Sequence, residues 1–215
     1  MHFTNKHKRL RRIILAFLAL FVLGGGFCLF HFLAWPKKHA ILIILDAARP
    51  DRFSCYGYNR STTPNIDNLA KQRVVFENCF AQATATRSSI PRIIFSRYIS
   101  LPLFPHSTEV PLTMSSELFR KMDNGSISLP KAFEKGGLMT AAILAHPWII
   151  SESPFAAEFQ EVIPSKHFRD EPHSSEQYAD AGQIIDAAIN WINDHKNENF
   201  FLYLHLMDTH FPHYF

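Results

Sequence analysis

Between Ile13 and Trp35 the chain runs for 23 residues without an Asp, Glu, Lys or Arg. No other feature narrows what it can fold into so far. A helix of about 20 apolar residues crosses a hydrocarbon core roughly 30 Å thick. In lipid a lone segment must be helical, because its backbone N–H and C=O groups find no other partners. The stretch is therefore expected to be a single transmembrane helix. Five basic residues (Lys6, Lys8, Arg9, Arg11, Arg12) precede it, and only Lys37 and Lys38 follow it closely. This asymmetry keeps the N-terminus cytoplasmic. Trp35 suits an interfacial anchor, and His31 is the only strongly polar member. A cleaved signal peptide carries an apolar region of roughly 7–15 residues and an Ala-x-Ala site; here the stretch is longer and no such site follows it. The expected organisation is a basic cytoplasmic N-terminus at 1–12, an anchor at 13–35, a short linker at 36–40 and a domain at 41–215. That domain faces the periplasm or the cell exterior.

Charge has to be read after this division. The chain carries a formal net charge of +3, but no acidic residue precedes Asp46, so residues 36–215 hold 17 basic and 19 acidic side chains. A basic face for nucleic acid is not supported, and no nucleic-acid partner is expected. With 47% hydrophobic residues the exported part can bury a core of normal single-domain size. Cys28 lies in the span, and Cys55 and Cys79 are too few for a disulfide framework. Both are expected as buried free thiols.

The exported part alternates strand and helix signals. Ile41 to Leu45 is a continuous run rich in β-branched residues that ends at Asp46, as in a strand buried on both faces of a parallel sheet. Thr63-Pro64 opens a helix with an N-cap threonine and proline in the first turn. Val74 to Phe80 reads as a second strand, and Ser88 to Ser96 as a short helix in which Pro91 fits only the first turn. Leu101 to Ser126 reads as a long surface excursion. Leu129 to Lys135 is a helix closed by Gly136-Gly137, followed by a strand from Met139 to Ala145. From Ser174 the pattern is helical, with Ser174 and Gln177 as a capping box and Tyr178, Ala181, Ile185, Ala188 and Ile192 on one face. Phe200 to Met207 is a last apolar strand. The fold class is α/β, a mainly parallel sheet flanked by helices. In such sheets the ligand crevice lies at the carboxyl ends of the strands. Asp46, His146 and the pair Asp208 and His210 all follow predicted strands.

A carboxylate at the end of a buried strand must be paired, hydrogen-bonded or bound to a cation, or must cap the next turn. Asp46 alone leaves those readings open. The segment that follows reads LDAARPDRFSCYGYNRSTTPNIDNLAKQRVVFENCFAQATATRSSIPRIIFSRY, from Leu45 to Tyr98, and the chain closes with FFLYLHLMDTHFPHYF, from Phe200 to Phe215. The strand into Asp46, Cys55-Tyr56-Gly57-Tyr58, Thr63-Pro64-Asn65-Ile66-Asp67, Ala81-Gln82, Arg97-Tyr98 and the final Asp-x-His-x-Pro keep the order of the N-terminal signature of the sulfatase family. The chain resembles that family, within the alkaline-phosphatase-like superfamily, at both ends and only weakly between about 100 and 170.

What the resemblance implies is an alkaline-phosphatase-like fold and metal-dependent cleavage of sulfate or phosphate esters. Asp46 takes the place of a first metal ligand. Thr86 takes the nucleophile's place and that of a second ligand to a divalent cation (Ca, Mn, Zn or Mg). Many sulfatases have there a cysteine, converted to formylglycine, in Cys-x-Pro-Ser-Arg. This chain reads Thr86-Arg87-Ser88-Ser89-Ile90, and threonine has no route to formylglycine. Phosphoethanolamine transferases and lipoteichoic acid synthases, also membrane-tethered, do use a threonine. Arg87 is expected to supply positive charge, His210 to contact the ester or protonate the leaving group, and His146 and Asp208 to reach the substrate. His205, in mid-strand, reads as a satisfied core histidine, and the twelve histidines show no zinc-site spacing on a helix. The family completes its metal site with a later Asp-His-Gly, which does not occur here; Asp194-His195 lies on a predicted helix. The 215 residues are therefore expected to form an incomplete domain, a fragment or an inactive truncated product. The two other functional expectations are a transferase moving a phosphoryl-linked headgroup and a membrane protein retaining only the fold.

Overall fold

The structure, a computed structural model, describes residues 21, 25, 37–97, 125–145, 153–164 and 179–210, without the side chain of Arg87. The chain divides into two compact units, Met1–Lys37 and Lys38–Phe215. Phe21 and Gly25 in the first unit are helical, and the rest of the span predicted at 13–35 lies outside the described residues. Among the described residues no helix is long and apolar enough to cross a membrane.

The second unit is built on four strands: β1 (His39–Leu45), β2 (Met139–Leu144), β3 (Glu161–Pro164) and β4 (Phe200–Leu206). Their order is β1-β4-β2-β3, and every pairing is parallel. The strand that comes last in sequence thus lies inside the sheet, and every residue of β4 is buried. That burial explains its unbroken apolar sequence. Four α-helices are described: α1 (Pro64–Ala70), α2 (Thr86–Phe95), α3 (Leu129–Lys135) and α4 (Ala181–His195).

Alternation along the strands divides the core between two faces. On one face Ala142, Leu144, Phe201 and Tyr203 meet Ile90, Ile94 and Phe95 of α2, with Phe133 of α3 stacked on Phe201 at 4.5 Å. On the other, Ala141, Ile143, Phe200, Leu202 and Leu204 meet Ile184, Ala188 and Trp191 of α4. Trp191 also donates its indole N–H to Glu161 of β3, at 2.7 Å. This is the helix-flanked parallel sheet that the strand and helix signals predict.

Several elements differ from expectation. β1 begins at His39, inside the predicted linker, and is at most half-buried: Ala40, Leu42 and Ile44 pack against the α2 side and Leu45 against the α4 side, while Ile41 and Ile43 are 48% and 51% exposed. The reason is topological, because among the described residues β1 lies at one end of the sheet and α4 packs mainly over β2 and β4. Val74 to Phe80 is not a strand; no described strand pairs with it, and Val74, Phe76 and Phe80 are exposed. Helix α2 starts at Thr86, so Pro91 lies in its interior rather than in its first turn. The capping box of α4 is Asp180 with Gln183, and the buried stripe is Ile184, Ala188 and Trp191. Ser174 and Gln177 lie outside the described residues, as does 101–124 of the predicted excursion. Cys55 and Cys79 are free thiols, but Cys55 is only half-buried and Cys79 is exposed.

Candidate active site

Asp46 is the first residue beyond β1, and its backbone is held from both sides by the end of β4. Its N–H donates to the Leu206 carbonyl at 3.0 Å, and its carbonyl accepts from the Thr209 hydroxyl. The next residue, Ala47, takes φ +56°, the left-handed region that costs an L-residue about 1–2 kcal/mol. The chain turns sharply there, and the Asp46 side chain stays at the carboxyl edge of the sheet, only 12% exposed.

The side chain that meets it comes from forty residues later. Thr86 donates its Oγ1 hydroxyl to Asp46 Oδ2 at 2.8 Å. The N-cap of α2 is Ala85, whose carbonyl accepts from the Ser88 and Ser89 N–H groups at 3.0 and 2.8 Å. Thr86 is therefore not the cap, and its hydroxyl points to the carboxylate instead. Its place in the first turn sets it at the positive end of the helix dipole. The half-buried hydroxyl and the carboxylate thus converge at the carboxyl edge of a parallel sheet, where such folds hold ligands.

A third group completes the cluster. His205 is fully buried, and its Nε2 lies 3.0 Å from the same Asp46 Oδ2. Its Nδ1 lies 2.8 Å from the Tyr203 hydroxyl. Burial first, and then the negative charge of Asp46, push the Tyr203 phenol well above its ordinary pKa of 10.0, so it stays protonated. The reading of His205 as a satisfied core histidine holds for burial but misses its partner. The signal lay in strand register. His205 pairs with Ile44 across the parallel ladder, and Asp46 is two residues beyond Ile44, on the same side of the pleat.

The rim is formed by the turn after β4. Asp208 is exposed and accepts from the Ala181 N–H at 3.0 Å, which ties this turn to the first turn of α4. His210 is half-buried, with its N–H bonded to the Met207 carbonyl at 2.8 Å. Arg87 follows Thr86 in α2, its side chain outside what the structure describes, and His146 lies outside the described residues altogether. Of the six predicted site residues, Asp46 and Thr86 are thus in direct contact.

The sequence model of the family described as Sulfatase matches residues 38–215. This chain belongs to the sulfatase family. Among its relatives is the N-acetylglucosamine-6-O-sulfatase of Bacteroides thetaiotaomicron, 23% identical over 185 residues that cover 81% of this chain and 31% of the relative. The solved C-terminal periplasmic domain of EcEptC from Escherichia coli, in complex with Zn, superposes with a TM-score of 0.60 at 17% identity, covering 83% of this chain and 46% of that one. The soluble domain of lipooligosaccharide phosphoethanolamine transferase A from Neisseria meningitidis gives 0.55 at 15% identity, covering 83% and 47%. The chain therefore spans about a third of that curated sulfatase and just under half of those two structures.

The donor chemistry suits a divalent cation as far as it goes. A carboxylate and a hydroxyl 2.8 Å apart are two oxygen ligands within reach of one ion with ligand bonds of about 2.0–2.6 Å. Among the described residues no group of three or more His, Cys, Asp or Glu side chains converges. Stable sites use about four ligands or more, so Asp46 and Thr86 by themselves would not make one.

Proposed function

We propose that this sulfatase-family chain acts in the metal-dependent cleavage of sulfate or phosphate esters outside the cytoplasm, with Thr86 as nucleophile. The observation that carries the proposal is the Thr86 hydroxyl at the first turn of α2, donating to Asp46 Oδ2 at 2.8 Å instead of capping its helix. Asp46 and Thr86 would hold the divalent cation, which when bound polarises the ester and lowers the pKa of a coordinated hydroxyl. The chain's own residues supply the rest. Asp46 fixes the direction of the Thr86 proton, so an oxygen lone pair can be turned to sulfur or phosphorus. A bond forms from Thr86 Oγ1 to that atom as the ester's bond to its leaving oxygen breaks, the Thr86 proton leaving along its hydrogen bond to Asp46 Oδ2. Water, or an acceptor hydroxyl, then displaces Thr86 Oγ1 from the sulfuryl or phosphoryl group and returns the proton to it. The positive end of α2 favours the anionic group under attack. Arg87 adds charge beside it, and His210 on the rim stabilises charge or donates a proton to the leaving oxygen. Asp208 and His146 are substrate-side residues, Asp208 also holding the rim turn to α4. The uncharged run 13–35 anchors the enzyme, with the catalytic unit outside.

A transferase that moves a phosphoryl-linked headgroup is the second reading. Thr86 favours it, since threonine has no route to the formylglycine that many sulfatases use at that position. The likeness in fold to a phosphoethanolamine transferase domain supports it. One experiment addresses both readings. The full-length protein, with its metal site complete, should in lipid nanodiscs with Mn2+ or Zn2+ turn over an aryl sulfate or aryl phosphate, or transfer a headgroup from a phospholipid to an acceptor. Thr86→Ala should lower that activity at least about a hundredfold. A Thr86→Ala enzyme as active as the parent would remove the nucleophile assignment, and transfer without hydrolysis would favour the second reading.

A further inference from the structure

One buried group at the site has no part in the chemistry above. Tyr203 and His205 lie two residues apart on β4, so they share a face of the sheet, and the Tyr203 hydroxyl, His205 Nδ1, His205 Nε2 and Asp46 Oδ2 follow one another at 2.8 and 3.0 Å. Both aromatic rings are fully buried. Tyr203 is fixed from outside this line by Phe155, edge-on at 5.2 Å, and by Phe159 at 5.9 Å. Directions along the line follow from donor chemistry. A carboxylate only accepts, so Nε2 carries the proton and donates it to Oδ2. In the neutral imidazole Nδ1 is then the acceptor, and the phenol donates to it. The same Oδ2 also accepts from Thr86.

We infer that Tyr203 and His205 are positioning residues, a two-link relay that fixes the rotation of the Asp46 carboxylate. The inference rests on the reading of Asp46 as a metal ligand. A carboxylate with one oxygen pinned by two donors has a single orientation to offer a cation, and the Thr86 hydroxyl has a single acceptor. Partners of this kind behind a ligand typically change metal affinity or activity 10–100-fold when lost. The relay crosses no mobile segment, because all its atoms lie on β4 or at the end of β1.

The test uses the full-length protein, with its metal site complete, in nanodiscs, labelled with 15N-histidine, and Zn2+ alone as the probe. In the metal-free parent, His205 should show a protonated Nε2 and an unprotonated, hydrogen-bonded Nδ1. Tyr203→Phe keeps the ring and its packing, so folding is retained while the link is cut. In it the Nδ1 resonance should move to that of an imine nitrogen without a donor, and Zn2+ affinity should fall about tenfold. His205→Gln, whose amide N–H reaches toward Asp46, should retain more affinity than His205→Leu. A protonated Nδ1 in the parent would overturn the inference. So would a Tyr203→Phe variant with the parent's Nδ1 resonance and the parent's Zn2+ affinity. Should the parent bind no Zn2+, the metal reading of Asp46 falls, and the Nδ1 resonance alone still decides whether the relay exists.

Discussion

Ala47 shows how much a single backbone angle does for the candidate site. A non-glycine residue at φ +56° is costly, and it persists because the Leu206 carbonyl and the Thr209 hydroxyl hold Asp46 on either side of its peptide. Ala47→Val should therefore destabilise the domain by about 2 kcal/mol or more, since a β-branched side chain in this region is a genuine outlier. Ala47→Gly should change stability by less than about 1 kcal/mol in either direction. Paired denaturant titrations would read the difference. At this scale sequence was informative where a residue type carries its own chemistry: Asp46 ends an apolar strand, and Thr86 sits in a motif. It was least informative for His205, because a histidine in an apolar strand looks alike whether its partner is a structural carbonyl or the Asp46 carboxylate. Only the pairing of β1 with β4, 161 residues apart at His39 and Phe200, brings them together.

Elements were legible in proportion to how locally their signals are written. α3 and β4 fall almost where propensity and hydrophobic pattern place them. The pieces that moved depend on tertiary partners. Val74 to Phe80 has strand composition, but a strand needs a ladder, and none among the described residues pairs with it. β3 passed unnoticed because it is four residues long and ends in proline, which is acceptable at the edge of the described sheet, where Pro164 is paired with Leu144 on one side. Helix α4 offers a direct check on the core. Ile184 is fully buried against β2 and β4, whereas Ile189 is half exposed. Ile184→Ala should cost about 2–5 kcal/mol of stability and Ile189→Ala less than about 1 kcal/mol, read from equilibrium unfolding.

For the whole molecule, the buried Tyr203 ties stability to alkaline pH. Its folded pKa is raised well above 10.0, by burial and by Asp46. The unfolded chain releases this proton near the ordinary value while the folded chain keeps it. Its contribution is therefore complete below about pH 10 and is lost progressively as pH rises beyond that. Unfolding midpoints should fall above about pH 10, and Tyr203→Phe should flatten that decline. Topology is a separate matter: a reporter fused after Lys38 should be active only when exported, and cytoplasmic activity would reverse the orientation assigned to the anchor. The central claim is that Thr86, held by Asp46, makes the covalent bond. The most direct measurement is mass spectrometry of the metal-loaded full-length protein, quenched during turnover and digested. The account predicts a sulfuryl, phosphoryl or phosphoryl-headgroup mass on the peptide containing Thr86, absent from Thr86→Ala. An adduct on another residue, or the same adduct mass on the Thr86→Ala protein, would contradict it.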